Sequence, residues 1–257
     1  MNNKFYEIKN IAENEFSLYV YGEIVGDKTD SLFPSKSDID INDFKEALAG
    51  VPNGAKLNMY INSPGGSVFA CSTMLSMLQR AKDRGVGIDA YIDGLGASCA
   101  SWLPMIADNI FIYKNSVMMI HKPMTISFGN ANDLKKDIEV LDKLENGVII
   151  PFYESKMKCS LEKLKEMIDA ETWLTADEIQ EYFNVTLIDE AREVTNIKSD
   201  LFNTYKNTPN EFKQVEKPVE NMADTSSQQE KIKEEEQPKV DYSAFETTLN
   251  EIKGGTR

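Results

Sequence analysis

The chain has 257 residues, of which 41% are hydrophobic, and a formal net charge of −14. The length and apolar content allow one large folded domain, with or without a tail. An acidic protein repels phosphate backbones, so composition argues against nucleic acid as a partner. No run of about 18 apolar residues is present, which argues against a membrane span.

The residues that could hold a metal or form a disulfide are few and scattered. Cys71, Cys99 and Cys159 lie far apart, and no cluster of cysteine and histidine is present. Such usage is typical of a reducing cytoplasm, and the first residues lack the apolar stretch of a signal peptide. We therefore expect a cytoplasmic protein without a metal or another cofactor.

The first half of the chain alternates strand and helix patterns. Strands are predicted over residues 15–25, 56–61, 86–92, 109–113 and 117–120, and helices over 39–48, 68–84 and 98–107. The first strand is apolar on both faces, as in a strand buried on both sides of a sheet. This order predicts an α/β fold with a mainly parallel sheet.

The second half is predicted to be mainly helical. An apolar stripe predicts a long amphipathic helix over residues 131–150, which Pro151 should interrupt. Ser160 is predicted to cap a helix over 161–168. The pattern at 175–178 is a capping box that opens another helix, and a strand over 185–188 follows.

The folded domain is predicted over residues 1–195, and residues 196–257 are predicted to form a flexible charged C-terminal extension. Residues 206–240 are rich in Lys, Glu, Gln, Asn, Ser and Pro, and such a segment buries too little surface to offset its ordering entropy. Apolar residues return at helical spacing over 242–252. That stretch is either a short docking helix or a weak helix that contacts nothing.

Two predicted strand-to-helix junctions carry small residues, one at Gly65-Gly66 and one at residues 94–98. In an open α/β sheet such junctions lie at the carboxyl ends of strands, where ligands bind. One backbone N–H from each junction would make an oxyanion hole with two donors. Ser98 would stand out from the sheet at a helix start, as a nucleophile must. His121 is the only histidine, so it is the only imidazole that could activate this serine.

Taken singly, each of these signals is weak. A glycine pair after a strand is usually only a turn, and a serine in a small-residue turn is more often a helix cap or a packing residue. A lone histidine before Lys-Pro is more often structural than catalytic. Their order along the chain is more specific.

In that order the segments resemble the Clp protease proteolytic subunit (ClpP) family, and in particular its phage-associated relatives. The resemblance lies in the glycine turn at 60–66, the nucleophile turn at 94–101, the histidine motif at 118–123 and the helix and loop at 160–176. It extends from about Phe16 to Asp189. It implies a spiral of ββα units, shared with crotonases, and a protruding handle helix over 131–150 through which two rings meet.

The resemblance implies a serine catalytic triad. Ser98 falls on the nucleophile and His121 on the general base. The aspartate of the family falls on Glu171, which is a departure, and Asp169 is the fallback acid. Ser101 lies three residues after Ser98 and is expected to be a packing residue.

The remaining site residues also come from the resemblance. The backbone N–H groups of Gly66 and Cys99 would form the oxyanion hole. Ile126, Ser127 and Phe128 would lie in the segment that lines the substrate groove, where the substrate backbone adds as an extra strand.

The implied activity is that of a serine endopeptidase that forms an acyl-enzyme on Ser98 and assembles as homo-oligomeric rings of the heptameric type, single or stacked. The charged extension, and the lack of a clear counterpart of the family's leader in residues 1–15, favour a phage head-maturation protease that acts on scaffold or capsid proteins. The alternative is an ATP-dependent subunit that works with an unfoldase. A crotonase-type acyl-CoA enzyme and an inactive ring-forming component, which Glu171 alone favours, are further alternatives.

Overall fold

The structure is a computed structural model and describes residues 8–12, 14–27, 38–192 and 197–212. Its strands are β1 (Ile8–Ala12), β2 (Glu15–Tyr21), β3 (Lys56–Ser63), β4 (Gly87–Ala97), β5 (Asn109–Tyr113), β6 (Val117–Ile120), β7 (Thr172–Thr175) and β8 (Thr186–Ile188). Its helices are α1 (Ile41–Ala49), α2 (Val68–Asp83), α3 (Ala131–Leu144), α4 (Ile150–Glu154), α5 (Leu161–Asp169), α6 (Ala176–Tyr182) and α7 (Leu201–Thr204). A 3₁₀-helix covers Ser98–Ile106, and a π-helical segment covers Glu145–Ile149.

The main sheet has the strand order β1-β2-β3-β4-β5-β8, and all of its pairs are parallel except β1 with β2. The predicted α/β class with a mainly parallel sheet is therefore confirmed. Four half-buried aromatic rings mark the register across β2, β3, β4 and β5, because they stack in sequence with centroids 5.0, 4.9 and 4.8 Å apart. These rings belong to Tyr19, Tyr60, Tyr91 and Phe111.

The core lies where the apolar sides of α1, α2 and the 3₁₀-helix meet the sheet. Phe44 of α1 and Met74 and Leu78 of α2 are fully buried there, at the helical spacing that the sequence showed. Burying such side chains stabilises the fold by about 1.5–3 kcal/mol each.

β4 takes part in a second, smaller set of strand pairs. Its first half pairs with β5, whereas its last three residues pair in parallel with β6. β7 then pairs antiparallel with β6. This arrangement brings the end of β4, the end of β6 and the start of β7 to one place, where the candidate site lies.

The predicted helices that fall within the described residues are present, with differences at two prolines. The region predicted as one helix over 131–150 ends its regular α3 turns at Leu144 and continues through the π-helical segment, and Pro151 lies in the first turn of α4. A proline has no N–H to donate, so it suits a first turn and interrupts a longer helix. The predicted helix at 98–107 is a 3₁₀-helix with Pro104 inside it.

Two predicted helix caps are confirmed. The Ser160 hydroxyl accepts the N–H of Lys163 at 3.2 Å. The N–H of Thr175 donates to Glu178 at 2.8 Å, which completes the capping box of α6.

Residues 197–212, which we call the docked segment, pack onto the domain. Phe202 and Tyr205 are buried, and they form an apolar cluster with Leu95, Ala97 and Met119 of β4 and β6. The predicted extension begins at residue 196, so its first part is in contact with the domain. The apolar side chains of α7 explain this packing, because their burial stabilises the contact. The average composition of the extension is polar and does not reveal these few apolar residues.

The rest of the predicted extension, over 213–257, lies outside the described residues, and so does its predicted helix at 242–252. The described residues all belong to one compact unit, Met1–Val215, and a second unit, Glu216–Arg257, lies wholly outside them.

Candidate active site

The candidate nucleophile stands in a strained turn. β4 ends at Ala97, and Ser98 follows with φ at +53°, in the left-handed region that side chains rarely adopt. Such a backbone conformation costs about 1–3 kcal/mol and persists where its surroundings enforce it. A serine in a sharp strand-to-helix turn projects its hydroxyl away from the sheet, as the nucleophile of a hydrolase requires.

His121 lies beside this serine because of the register between β4 and β6. Ala97 is opposite Met119, so the residues that follow each strand emerge at the same edge. The Oγ atom of Ser98 lies 2.7 Å from Nε2 of His121, a hydrogen-bond distance. Both residues are 8% exposed. The structure thus brings the two predicted residues into direct contact.

The environment of His121 favours the neutral imidazole. Burial lowers its pKa from 6.5 to about 4, against the opposing effect of the nearby Glu171 carboxylate, and Lys206 lowers the pKa further. A neutral ring can accept a proton at Nε2 if the other nitrogen carries the hydrogen. The histidine is therefore in the protonation state that a general base needs.

Glu171 is the acidic residue that faces His121. β7 pairs with β6 so that Ile120 is opposite Thr172, and Glu171 therefore lies just across from His121. Its Oε2 atom is 3.9 Å from Nδ1 of His121, longer than a hydrogen bond but within ion-pair distance. The Glu171 side chain is buried, and its backbone has φ at +51°.

Asp169, the fallback acid, contacts a different residue. Its carboxylate forms an ion pair with Nζ of Lys122 at 2.7 Å, and its side chain is 70% exposed. The lysine lowers the pKa of this carboxyl group. Of the two carboxylates, the structure places Glu171 beside the imidazole.

Ser101 has a structural role that its hydrogen bonds define. Its hydroxyl donates to the carbonyl oxygen of Ser98 at 2.5 Å and lies 2.6 Å from the hydroxyl of Tyr153. The indole N–H of Trp102 donates to the same tyrosine at 3.0 Å. Because the Ser101 proton is used, Tyr153 donates to Ser101, and the chain of bonds supports the strained turn at Ser98.

The glycine junction packs tightly against the nucleophile turn. A Cβ on Gly65 would lie 2.7 Å from the Cβ of Ser98, and a Cβ on Gly66 would lie 2.1 Å from the carbonyl oxygen of Ile24. Both glycines have positive φ, at +97° and +143°, so any other residue would be strained there. Gly66 precedes the cap of α2, and Cys99 is in the first turn of the 3₁₀-helix, where backbone N–H groups lack acceptors within the helix.

A cavity of about 140 Å³ opens beside these groups. Its lining includes Gly66, Ser98, His121, Trp102, Pro123, Met124, Leu201 and Tyr205. The predicted groove residues lie outside this lining: Ile126 and Phe128 are 81% and 90% exposed, and the Ser127 hydroxyl bonds Asp137. Their segment belongs to no strand among the described residues.

The profile of the Clp protease family matches residues 47–190, more than half of the chain and all of the triad candidates. The chain belongs to the Clp protease family. It is 27% identical over 192 residues to ATP-dependent Clp protease proteolytic subunit 2 of Bacillus licheniformis, which covers 71% of this chain and 96% of that relative.

Further relatives carry the same kind of name. An ATP-dependent Clp protease proteolytic subunit of Bacteroides fragilis is 28% identical over 66% of this chain and 82% of its own length. One from Porphyromonas gingivalis is 32% identical over 50% of this chain and 57% of its own length. Membership in this family makes the chain a peptidase.

Sequence reasoning missed Tyr205 and Asn207, which reach the site from the docked segment. The Tyr205 ring meets His121 edge-on with centroids 5.1 Å apart, and the backbone N–H of Asn207 donates to Glu171 at 2.6 Å. The aromatic residues at 202, 205 and 212 within a polar stretch were the available signal, since isolated aromatics there indicate packing.

In the described part of this Clp protease family member, no group of three or more His, Cys, Asp and Glu side chains could hold a metal ion. Within the described ranges, every helix is too short or too polar to traverse a bilayer.

Proposed function

We propose that this member of the Clp protease family is a serine endopeptidase that cleaves polypeptides through an acyl-enzyme on Ser98. The observation that carries the proposal is the 2.7 Å contact between Oγ of Ser98 and Nε2 of His121, the only histidine. This contact and the family favour a peptidase over an acyl-CoA enzyme, which needs no serine nucleophile.

The proposed reaction starts with proton transfer. Neutral His121 accepts the hydroxyl proton of Ser98 while Oγ attacks the carbonyl carbon of the peptide bond. The same imidazole then gives the proton to the leaving amine, and the acyl group stays on Ser98. A water molecule, deprotonated by His121, hydrolyses the acyl-enzyme and frees the serine.

The backbone N–H groups of Gly66 and Cys99 are proposed to bind the oxygen that becomes negative during attack. Gly66 lines the cavity at Ser98 and precedes the cap of α2, and Cys99 follows Ser98 in the first turn of the 3₁₀-helix. Backbone N–H groups near helix starts are available as donors to an anion. Loss of one such donor typically costs about 10²–10³ in rate.

Glu171 is proposed as the triad acid. Its Oε2 atom lies 3.9 Å from Nδ1 of His121, and a displacement of about 1 Å would form the hydrogen bond that fixes the imidazole tautomer. Catalytic hydrogen bonds are often long without substrate. The longer glutamate thus takes the place of the family's aspartate.

A fluorophosphonate probe tests the nucleophile. We expect one covalent adduct on Ser98 in the wild type, none in Ser98→Ala, and loss of peptide hydrolysis in that variant by more than about 10³-fold. Ser101→Ala is the matched control and should still be labelled at Ser98, whereas His121→Ala should leave Ser98 unreactive.

Three results would count against this assignment. An adduct on Ser101 in the Ser98→Ala protein would move the nucleophile, and normal labelling of His121→Ala would exclude the imidazole base. A wild type that is folded and never labelled would support the inactive ring-forming component.

Ring assembly and the biological setting are further parts of the proposal. The handle helix α3 leaves apolar side chains exposed, which supports contact with other copies. The relatives are named as ATP-dependent Clp protease proteolytic subunits, which supports the alternative of an ATP-dependent subunit that works with an unfoldase. Head maturation on phage scaffold or capsid proteins rests on the chain that continues beyond the family match.

A further inference from the structure

The docked segment reaches the candidate triad through Asn207. Its backbone N–H donates to Oε1 of Glu171 at 2.6 Å. Its side-chain amide donates to the carbonyl oxygens of Ala170 at 2.7 Å and of Glu171 at 3.1 Å. One residue outside the family match therefore holds both the carboxylate and the backbone of the acid.

We propose that Asn207 is a positioning residue for the triad acid, holding one carboxylate oxygen of Glu171 so that the other faces His121. This inference rests on the proposed serine peptidase function. Asn207 acts through Glu171, since its hydrogen bonds are to Ala170 and Glu171.

The chemistry of Glu171 explains why a positioning residue is needed. Its side chain is only 5% exposed, and a buried carboxylate is costly without hydrogen-bond donors. Glutamate also has one more rotatable bond than aspartate, so its carboxylate has more orientations to choose from. The N–H of Asn207 removes this freedom from one oxygen.

The backbone of Glu171 needs support as well. Its φ of +51° is unfavourable for a residue with a side chain. The side-chain amide of Asn207 bonds the carbonyl oxygens on both sides of that strained residue. The side-chain amide of Asn207 therefore fixes the backbone from which the Glu171 side chain extends, and the backbone N–H of Asn207 fixes the carboxylate at the end of that side chain.

Asn207 is itself held in place by its neighbours. Two residues before it, the Tyr205 hydroxyl donates to the carbonyl oxygen of Pro64 at 2.7 Å. One residue after it, the Thr208 hydroxyl donates to the carbonyl oxygen of Phe202 at 2.7 Å. Its N–H is therefore fixed before any substrate binds, which is what preorganisation requires.

The test compares Asn207→Pro, which removes the N–H, with Asn207→Ala, which keeps it, in the full chain. For hydrolysis of a fluorogenic peptide we expect Asn207→Pro to lower kcat by about 10- to 100-fold with little change in KM. Asn207→Ala should lower kcat by a smaller factor. Combined with Glu171→Ala, Asn207→Pro should add no further loss, because both changes act through the same carboxylate.

Each other outcome has a defined meaning. Asn207→Pro with wild-type kcat, or a full additional loss in the Glu171→Ala background, would overturn the inference. So would a gain in activity, since Leu201 and Tyr205 also line the cavity and the segment would then be an obstruction.

Folding and the proposed function are checked separately. Thermal unfolding shows whether the proline variant folds, and if it does not, the same cycle with Asn207→Ala decides, with additive losses overturning the inference. A wild type that neither hydrolyses peptide nor reacts with the fluorophosphonate overturns the proposed function, and this inference with it. An active wild type with an unaffected Asn207→Pro overturns the inference alone.

Discussion

Burial sets the chemistry of His121. His121 is 8% exposed, and desolvation lowers its pKa to about 4, although the Glu171 carboxylate opposes this. The histidine of the unfolded chain binds a proton at its ordinary pKa of 6.5, whereas the folded protein binds it only near pH 4. The folded state therefore loses stability relative to the unfolded state as the pH falls from 6.5 through about 4. The same burial keeps the folded ring mainly neutral until the pH approaches about 4.

The acidic limb of the pH profile follows from this pKa. We expect kcat/KM for a peptide, and the rate of fluorophosphonate labelling, to fall with a midpoint well below 6.5 and towards about 4. Glu171→Gln should move the midpoint lower, because the carboxylate raises the pKa, and Lys206→Ala should move it higher. A midpoint at or above 6.5 would contradict the proposed environment.

At the level of elements, the pairing of β4, β6 and β7 assembles the site, whereas α3 lies away from it. α3 has no buried residue, and Leu134 and Ile138, which lie on its apolar stripe, are 41% and 57% exposed. An amphipathic helix with an uncovered apolar stripe is typical of an interface. This is the element that the family resemblance assigns to contact between rings.

Ile138→Asp tests this assignment. A charge in an apolar contact must lose its water, so we expect the association constant of the assembly to fall by about 10-fold or more. Analytical ultracentrifugation measures the assembly, and Asn132→Asp, which adds the same charge to the start of the same helix, should leave it intact. Equal assembly of both variants would remove α3 from the interface.

At the scale of the whole molecule, the family match ends at residue 190, while the chain continues to residue 257. The docked segment shows that part of this continuation contacts the peptidase domain. The names of the relatives support an ATP-dependent subunit, whereas the chain beyond the family match supports a head-maturation protease. Both would use the same active site. A substrate experiment can separate them.

If the chain works with an unfoldase, we expect short peptides to be cleaved without nucleotide and a folded protein to be degraded only with a Clp-type unfoldase and ATP; the names of the relatives contain the words ATP-dependent. Degradation followed by gel electrophoresis provides the measurement, with Ser98→Ala as the inactive control. Cleavage of a phage scaffold or capsid protein without ATP, and no response to the unfoldase, would instead support head maturation.

Local patterns were sufficient for most of the fold. The strands at 109–113 and 117–120, the caps at Ser160 and Thr175 and the interruption near Pro151 each depend on neighbours within a few residues. Such features are encoded by hydrophobic period, capping side chains and the missing N–H of proline. They predicted the α/β class and the junctions that carry the site.

The sequence by itself determined that Ser98 and His121 were the candidates, because each stood in a recognisable motif and no other histidine was present. Only the tertiary structure placed Glu171, rather than Asp169, beside the imidazole, since the antiparallel register of β6 and β7 selects one of two carboxylates that lie two residues apart. It alone brought Asn207 to Glu171, across 36 residues of chain. Contacts of that range depend on packing between elements, which local patterns do not encode.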